Sequence, residues 1–174
     1  REPMFWQVMT QVLSACPNAW LALVGLEAAA FAEMAVTYAV PVELHHRIRP
    51  LGWRSDHQAV LCAADLFVDT FPNGGGYTVF EALSLGVATL AIDDDYLLPF
   101  EERSWAVAAE IVGGGISVPG RPDRILARLV ELVNDPSSRR DLARNAPLLA
   151  DAVRSPVPCT RAFEGLIEQW RRDR

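Results

Sequence analysis

One stretch limits the possible folds more than any other. An apolar run, Ala64-Asp65-Leu66-Phe67-Val68-Asp69, leads into the turn Phe71-Pro72-Asn73-Gly74-Gly75-Gly76-Tyr77-Thr78. Beyond it Val79, Phe80, Ala82, Leu83 and Leu85 recur at helical spacing, and Gly86 stops the pattern. The first run has the length of a buried strand, and the second periodicity is that of a helix. Strand, glycine-rich turn and helix together aim unpaired backbone N–H groups and the positive helix end at one point, a ready site for phosphate. The same residues also suit a tight βα turn whose glycines only relieve strain. Three glycines without a P-loop Lys do not decide between the two.

The remainder of the chain repeats this alternation. Pro3 suits a first helical turn, and Phe5, Val8, Met9, Val12 and Leu13 follow at helical spacing until Pro17-Asn18. Trp20 to Gly25 is a continuous apolar run, the mark of a strand covered on both faces. Glu27 to Tyr38 reads as a helix, Val42 to Ile48 as a strand ending before Pro50, and Ser55 as the cap of a helix from Asp56 to Ala63. Leu66–Asp69 and Val87–Ile92 read as strands, with an acidic loop Asp93-Asp94-Asp95 after the second. Glu101–Glu110 reads as a helix, and Ile116–Val118 as a short strand after Gly113-Gly114-Gly115. Helices are expected over Pro122–Val133, Pro136–Val153 and Cys159–Arg172. Alternating strands and helices predict an α/β fold, a Rossmann-like parallel sheet flanked by helices. In such a sheet ligands bind outside the carboxyl ends of the strands, which singles out the loops Leu51–His57, Phe71–Thr78 and Asp93–Tyr96.

Composition narrows the partners. A net charge of −6 argues against nonspecific binding to nucleic acid or anionic membrane. All 16 basic residues are Arg, so no Lys is available for any role. No apolar run reaches bilayer length and no signal peptide opens the chain, which together favour a cytoplasmic protein. Cys16, Cys62 and Cys159 are odd in number and far apart, the pattern of buried free thiols in a reducing compartment. They share no metal-ligand spacing with His45, His46 or His57. The chain opens at Arg1, straight into a helical pattern, and so reads as a fragment.

The loops taken together are recognisable. The segments His46 to His57, Ala64 to Gly75 and Glu81-Ala82-Leu83-Ser84-Leu85-Gly86 resemble the donor-binding, C-terminal half of a GT-B glycosyltransferase, and more narrowly the O-GlcNAc transferase family with its bacterial relatives. Pro3 to Trp6 through Cys16 to Leu21 is similar to that family's first helix and second strand. Ser155-Pro156, Thr160 to Phe163 and Trp170 look like its closing helix. On this resemblance residues 1–154 form the nucleotide-sugar domain, residues 155–174 close it, and the domain's first strand lies upstream of Arg1.

The resemblance also implies a site. Arg54 and His57 match the family's basic residue and uracil-stacking His, and the Gly52 backbone would meet the base edge. At the turn, Gly75, Gly76, Tyr77 and Thr78 would face the diphosphate; Gly76 and Tyr77 stand where the family has His and Thr. Glu81 matches the carboxylate that takes the ribose hydroxyls, a role open to any acceptor able to bridge a cis-diol. Eight residues before it, where retaining GT-B enzymes carry a second acid, this chain has Asn73, which favours an inverting displacement. A divalent ion at Asp93 to Asp95 is possible in principle, because hard cations take carboxylates. The resemblance instead implies no metal and no cofactor beyond the UDP-sugar donor, with a protein or peptide as acceptor. The family's phosphate-binding Lys and the N-terminal GT-B half, absent from this chain, would both come from outside it. Two further readings stay open: a noncatalytic nucleotide-binding module, and a GT-B-fold sugar-nucleotide epimerase.

Overall fold

The computed structural model describes residues 2–71, 74–93 and 116–154. Helix α1 (Glu2–Ala15) leads to strand β1 (Leu21–Val24), helix α2 (Ala28–Thr37), a 3₁₀ helix (Val42–Arg47) and β2 (Ile48–Gly52). Helix α3 (His57–Ala63), β3 (Phe67–Val68), α4 (Tyr77–Ser84) and β4 (Thr89–Asp93) follow. Strand β5 (Ser117–Pro119) and helices α5 (Pro122–Asn134) and α6 (Pro136–Arg154) complete the described chain. Among the described residues every strand pairing is parallel: β1 with β2, and β3-β4-β5 in that order. The expected α/β architecture is therefore present. The helices proposed over Glu101–Glu110 and Cys159–Arg172 lie outside the described residues.

Helix α1 is the strut across both sheets. Its Val8, Met9 and Val12 join Phe71, Leu90, Ile125 and Leu129 in one core, while Trp6 and Leu13 join Phe31, Leu44 and Ile48 in another. The Phe5 ring meets Phe71 at 5.2 Å and Trp6 meets Phe31 at 5.8 Å between centroids. Strand β4 is buried along Thr89 to Ile92, as a strand with neighbours on both edges should be.

Four expectations fail, each for a local reason. Val42 to Arg47 is helical, and the strand starts at Ile48 and runs through Pro50. Pro41 and the turn bond from the Leu44 N–H to its carbonyl set the helical turn. Proline is tolerated in β2 because this strand has one described partner and the register shifts beside it, between Leu23 and Val24. Strand β1 is not covered on both faces: Ala22 and Val24 are exposed while Leu21 and Leu23 are half-buried. Asp56, not Ser55, holds the cap position of α3, and it makes no side-chain cap bond. Cys62 is an exposed thiol, although Cys16 is buried as expected.

Helix α4 ends as its sequence suggests. Gly86 takes φ +72°, its N–H donates to Leu83 O, and the Val87 N–H donates to Ala82 O, the paired bonds of a Schellman cap. Helix α6 is started by Asp135, whose Oδ1 accepts from the Ser137 N–H and hydroxyl and whose Oδ2 accepts from the Ser138 hydroxyl. These donors, the Ser137 hydroxyl foremost, hold the Asp135 carboxyl well below the usual carboxylate range. A depressed folded pKa means the cap's contribution is complete above the unfolded value, about 3.9, and is lost as pH falls through the folded one. Asp135→Ala should therefore lower the melting temperature at pH 6 and leave less of a difference from wild type in strong acid; an equal gap at both would exclude the carboxylate as the cause.

Candidate functional site

The strands' carboxyl ends carry the loops singled out above. At the exit of β2, Gly52 sits at φ +64°, and a Cβ there would lie 2.6 Å from Glu27 Oε1. The Glu27 carboxylate, just before α2, accepts the Trp53 N–H at 3.2 Å. The Gly52 N–H donates to Leu26 O and its carbonyl accepts from the Gly25 N–H, so the Gly52 N–H is already committed inside the loop. Only the second lone pair of its carbonyl is left for another donor.

Arg54 and His57 follow directly. Arg54 grips Asp56 in a bidentate pair, Nε to Oδ1 at 2.7 Å and Nη2 to Oδ2 at 2.6 Å. Its guanidinium holds the Asp56 carboxyl below the ordinary range, and both side chains are exposed. His57, the first residue of α3, places Nε2 3.3 Å from Glu81 Oε1 on α4. Two residues proposed for one ligand thus come together from elements 24 positions apart.

The turn before α4 has a sharply defined conformation. Asp69, fully buried at the end of β3, accepts the Gly75 N–H through Oδ1. Gly76 takes φ +52° and ψ −109°, backbone that side-chain-bearing residues rarely adopt. Among the described residues neither the Gly76 nor the Tyr77 N–H donates a hydrogen bond, so both are available at the positive end of α4. The Thr78 N–H instead donates to Gly75 O at 3.2 Å, which takes it out of the set expected to face a phosphate. The Thr78 hydroxyl has no described partner, and the Tyr77 side chain projects 73 % exposed. Pro72 and Asn73 lie outside the described residues. So do Asp94 and Asp95, while Asp93 ends β4; among the described residues no three metal-ligating side chains cluster.

Sequence reasoning missed two carboxylates here. Asp69 follows β3 and accepts the Gly75 N–H from the next loop, whereas Glu27, just before α2, accepts the Trp53 N–H from the loop after β2. For Asp69 the available signal was an acid terminating an apolar run just before a glycine-bearing loop; Glu27 carried none.

These parallel strands flanked by helices match the fold of solved GT-B glycosyltransferases. The structure of Anabaena Alr3699/HepE in complex with UDP and glucose superposes with a TM-score of 0.66 at 19 % identity, covering 94 % of this chain and 44 % of that one. The same protein in complex with UDP-glucose gives 0.63 at 19 % identity, with 94 % and 44 % covered. WaaG, a glycosyltransferase involved in lipopolysaccharide biosynthesis, gives 0.61 at 19 % identity over 83 % of this chain and 38 % of its own. The chain thus spans less than half the length of these neighbours. No protein-family profile matches the sequence, and no curated protein does. No described helix is long and apolar enough to cross a membrane.

Proposed function

We propose that this chain is the UDP-sugar-binding part of an inverting GT-B glycosyltransferase. The observation that carries the reading is the meeting of His57 with Glu81 on α4, the helix opened by the unpaired Gly76 and Tyr77 N–H groups. Base, ribose and diphosphate of one nucleotide call for an aromatic or basic face, a carboxylate and a cluster of N–H donors, in that order. His57 with Arg54, Glu81, and Gly76-Tyr77 with the Thr78 hydroxyl supply them. Arg54 must first release Asp56; that exposed pair is weak enough for a ligand to displace. HepE's structures, holding UDP, UDP-glucose, or UDP and glucose, support the donor class.

In the proposed reaction an acceptor hydroxyl attacks the anomeric carbon as the bond to the β-phosphate oxygen breaks. UDP departs with the bonding electrons, and the negative charge developing on its β-phosphate meets donors already in place. The narrower resemblance points to GlcNAc or a related hexose and to a protein Ser/Thr hydroxyl. On the same reading the phosphate-binding Lys and the other GT-B half come from polypeptide outside this chain, which alone is inactive. A noncatalytic nucleotide-binding module is the second reading, favoured by Gly76 and Tyr77, which bring no compact side-chain donor to the turn.

Calorimetric titration with UDP and UDP-hexoses tests this. UDP should bind, and Glu81→Ala and His57→Ala should each weaken it by about 1–2 kcal/mol, the size of one hydrogen-bonded or stacked contact. Absence of binding at millimolar nucleotide would exclude the proposal. Unaltered affinity in both variants would place the nucleoside elsewhere.

A further inference from the structure

Asp69 is a buried charge-bearing group that the reading above leaves without a role. It has no exposed surface, although fully buried carboxylates are rare unless paired. Its Oδ1 accepts the Gly75 N–H, and among the described residues its Oδ2 has no partner. Leaving an oxygen unsatisfied in the interior is costly, so the group is not accounted for by the stability of the core. Burial pushes the Asp69 carboxyl up from its ordinary value, while the Gly75 and Thr70 N–H groups pull the other way.

The surroundings show what the carboxylate fixes. A Cβ on Gly75 would stand 2.9 Å from Asp69 Oδ1, whereas its other neighbours, Thr70 Oγ1 and the Thr78 Cβ, would be at 3.5 and 4.0 Å. Gly75 carries no positive φ, so the carboxylate alone excludes a side chain there. The next residue, Gly76, then makes the sharp φ +52° turn, after which the Gly76 and Tyr77 N–H groups are left unpaired. One bond thus sets the residue from which both free donors are hung.

We propose that Asp69 is a positioning residue for the nucleotide diphosphate: by holding the Gly75 N–H it locks the turn in the conformation that presents the Gly76 and Tyr77 N–H groups to the ligand. This rests on the UDP reading of the site. Asp69 touches the ligand nowhere and acts only through the backbone of Gly75.

The test measures UDP affinity by calorimetry and Gly75 amide exchange by NMR in wild type, Asp69→Ala, Asp69→Asn and Gly75→Ala. Asp69→Ala should weaken UDP about tenfold, the scale of one bond to a charged acceptor, and speed Gly75 exchange. Asp69→Asn keeps an acceptor oxygen and should restore most of both. Gly75→Ala should copy the Asp69→Ala loss in the wild-type background and add little to it in the Asp69→Ala background, because the clashing oxygen is gone. If Asp69→Ala does not fold, Asp69→Asn and Gly75→Ala decide. Wild-type UDP affinity in Asp69→Ala, or in Gly75→Ala with unchanged exchange, overturns the proposal. If the wild type binds no UDP the donor reading falls, and the anchor is judged on exchange alone: protection lost in Asp69→Ala upholds it, protection retained overturns it.

Discussion

Leu83→Ala should lower the unfolding free energy by about 3 kcal/mol, in the range of buried leucine truncations that leave a cavity. Leu83 has no exposed surface and lies on the face of α4 that enters the main core with Val79, Leu90, Ile125 and Ala146. Helix α4 has only eight residues, too few to persist by propensity, so packing of this face holds it in place. Denaturant titration reads the loss, and a cost under about 1 kcal/mol would mean that the core closes around the deletion. The same helix carries Glu81 and the turn's free donors, so its seating is a condition for any site there.

Gly52→Ala should cost about 2 kcal/mol by two separate routes. A residue with a Cβ is disfavoured at φ +64° by about 1 kcal/mol or somewhat more. The new Cβ also overlaps the Glu27 carboxylate, which must swing away and give up the Trp53 N–H, a bond worth about 1 kcal/mol. Glu27→Ala removes the second route without the first. The double variant should therefore be less destabilised than the sum of the single ones, by thermal or chemical unfolding. Strict additivity would show that the two groups do not interfere.

The sequence made the layers legible because apolar runs and helical spacing report burial directly. Strands β1, β3, β4 and β5 and helices α1 to α6 fall within a few residues of their expected places. Val42 to Arg47 misled because β-branched and aliphatic residues there signal only an apolar face, while the preceding proline decides the backbone. The continuous run Trp20 to Gly25 misled similarly: apolar content does not say how many neighbours a strand has. Of the proposed site, the residue types and loops were visible in the chain, and the His57–Glu81 meeting is a three-dimensional fact that spacing does not encode. Glu27 escaped because its bond to the Trp53 N–H, 26 residues away, leaves no motif, and at Asp69 the only sign was an acid ending an apolar run. The spare hydrogen-bonding capacity of the turn was overcounted at Thr78, whose N–H closes the turn itself.

The division of the strands into a pair and a trio has a consequence for how the molecule behaves in solution. The Phe67 and Asp69 N–H groups donate to Ala88 O and Leu90 O, just before and within β4, so the alternation of a parallel ladder turns the backbone of Val68 toward the opposite edge. Among the described residues β1 likewise has a strand on one side only. A rim without a second strand among the described residues is a template for an extended segment of another molecule. Two residues of β3 make a short template, but β1, four residues long with Val24 exposed, is the more adhesive border. Sheet margins of this kind favour association at high concentration, and a net charge of −6 opposes it.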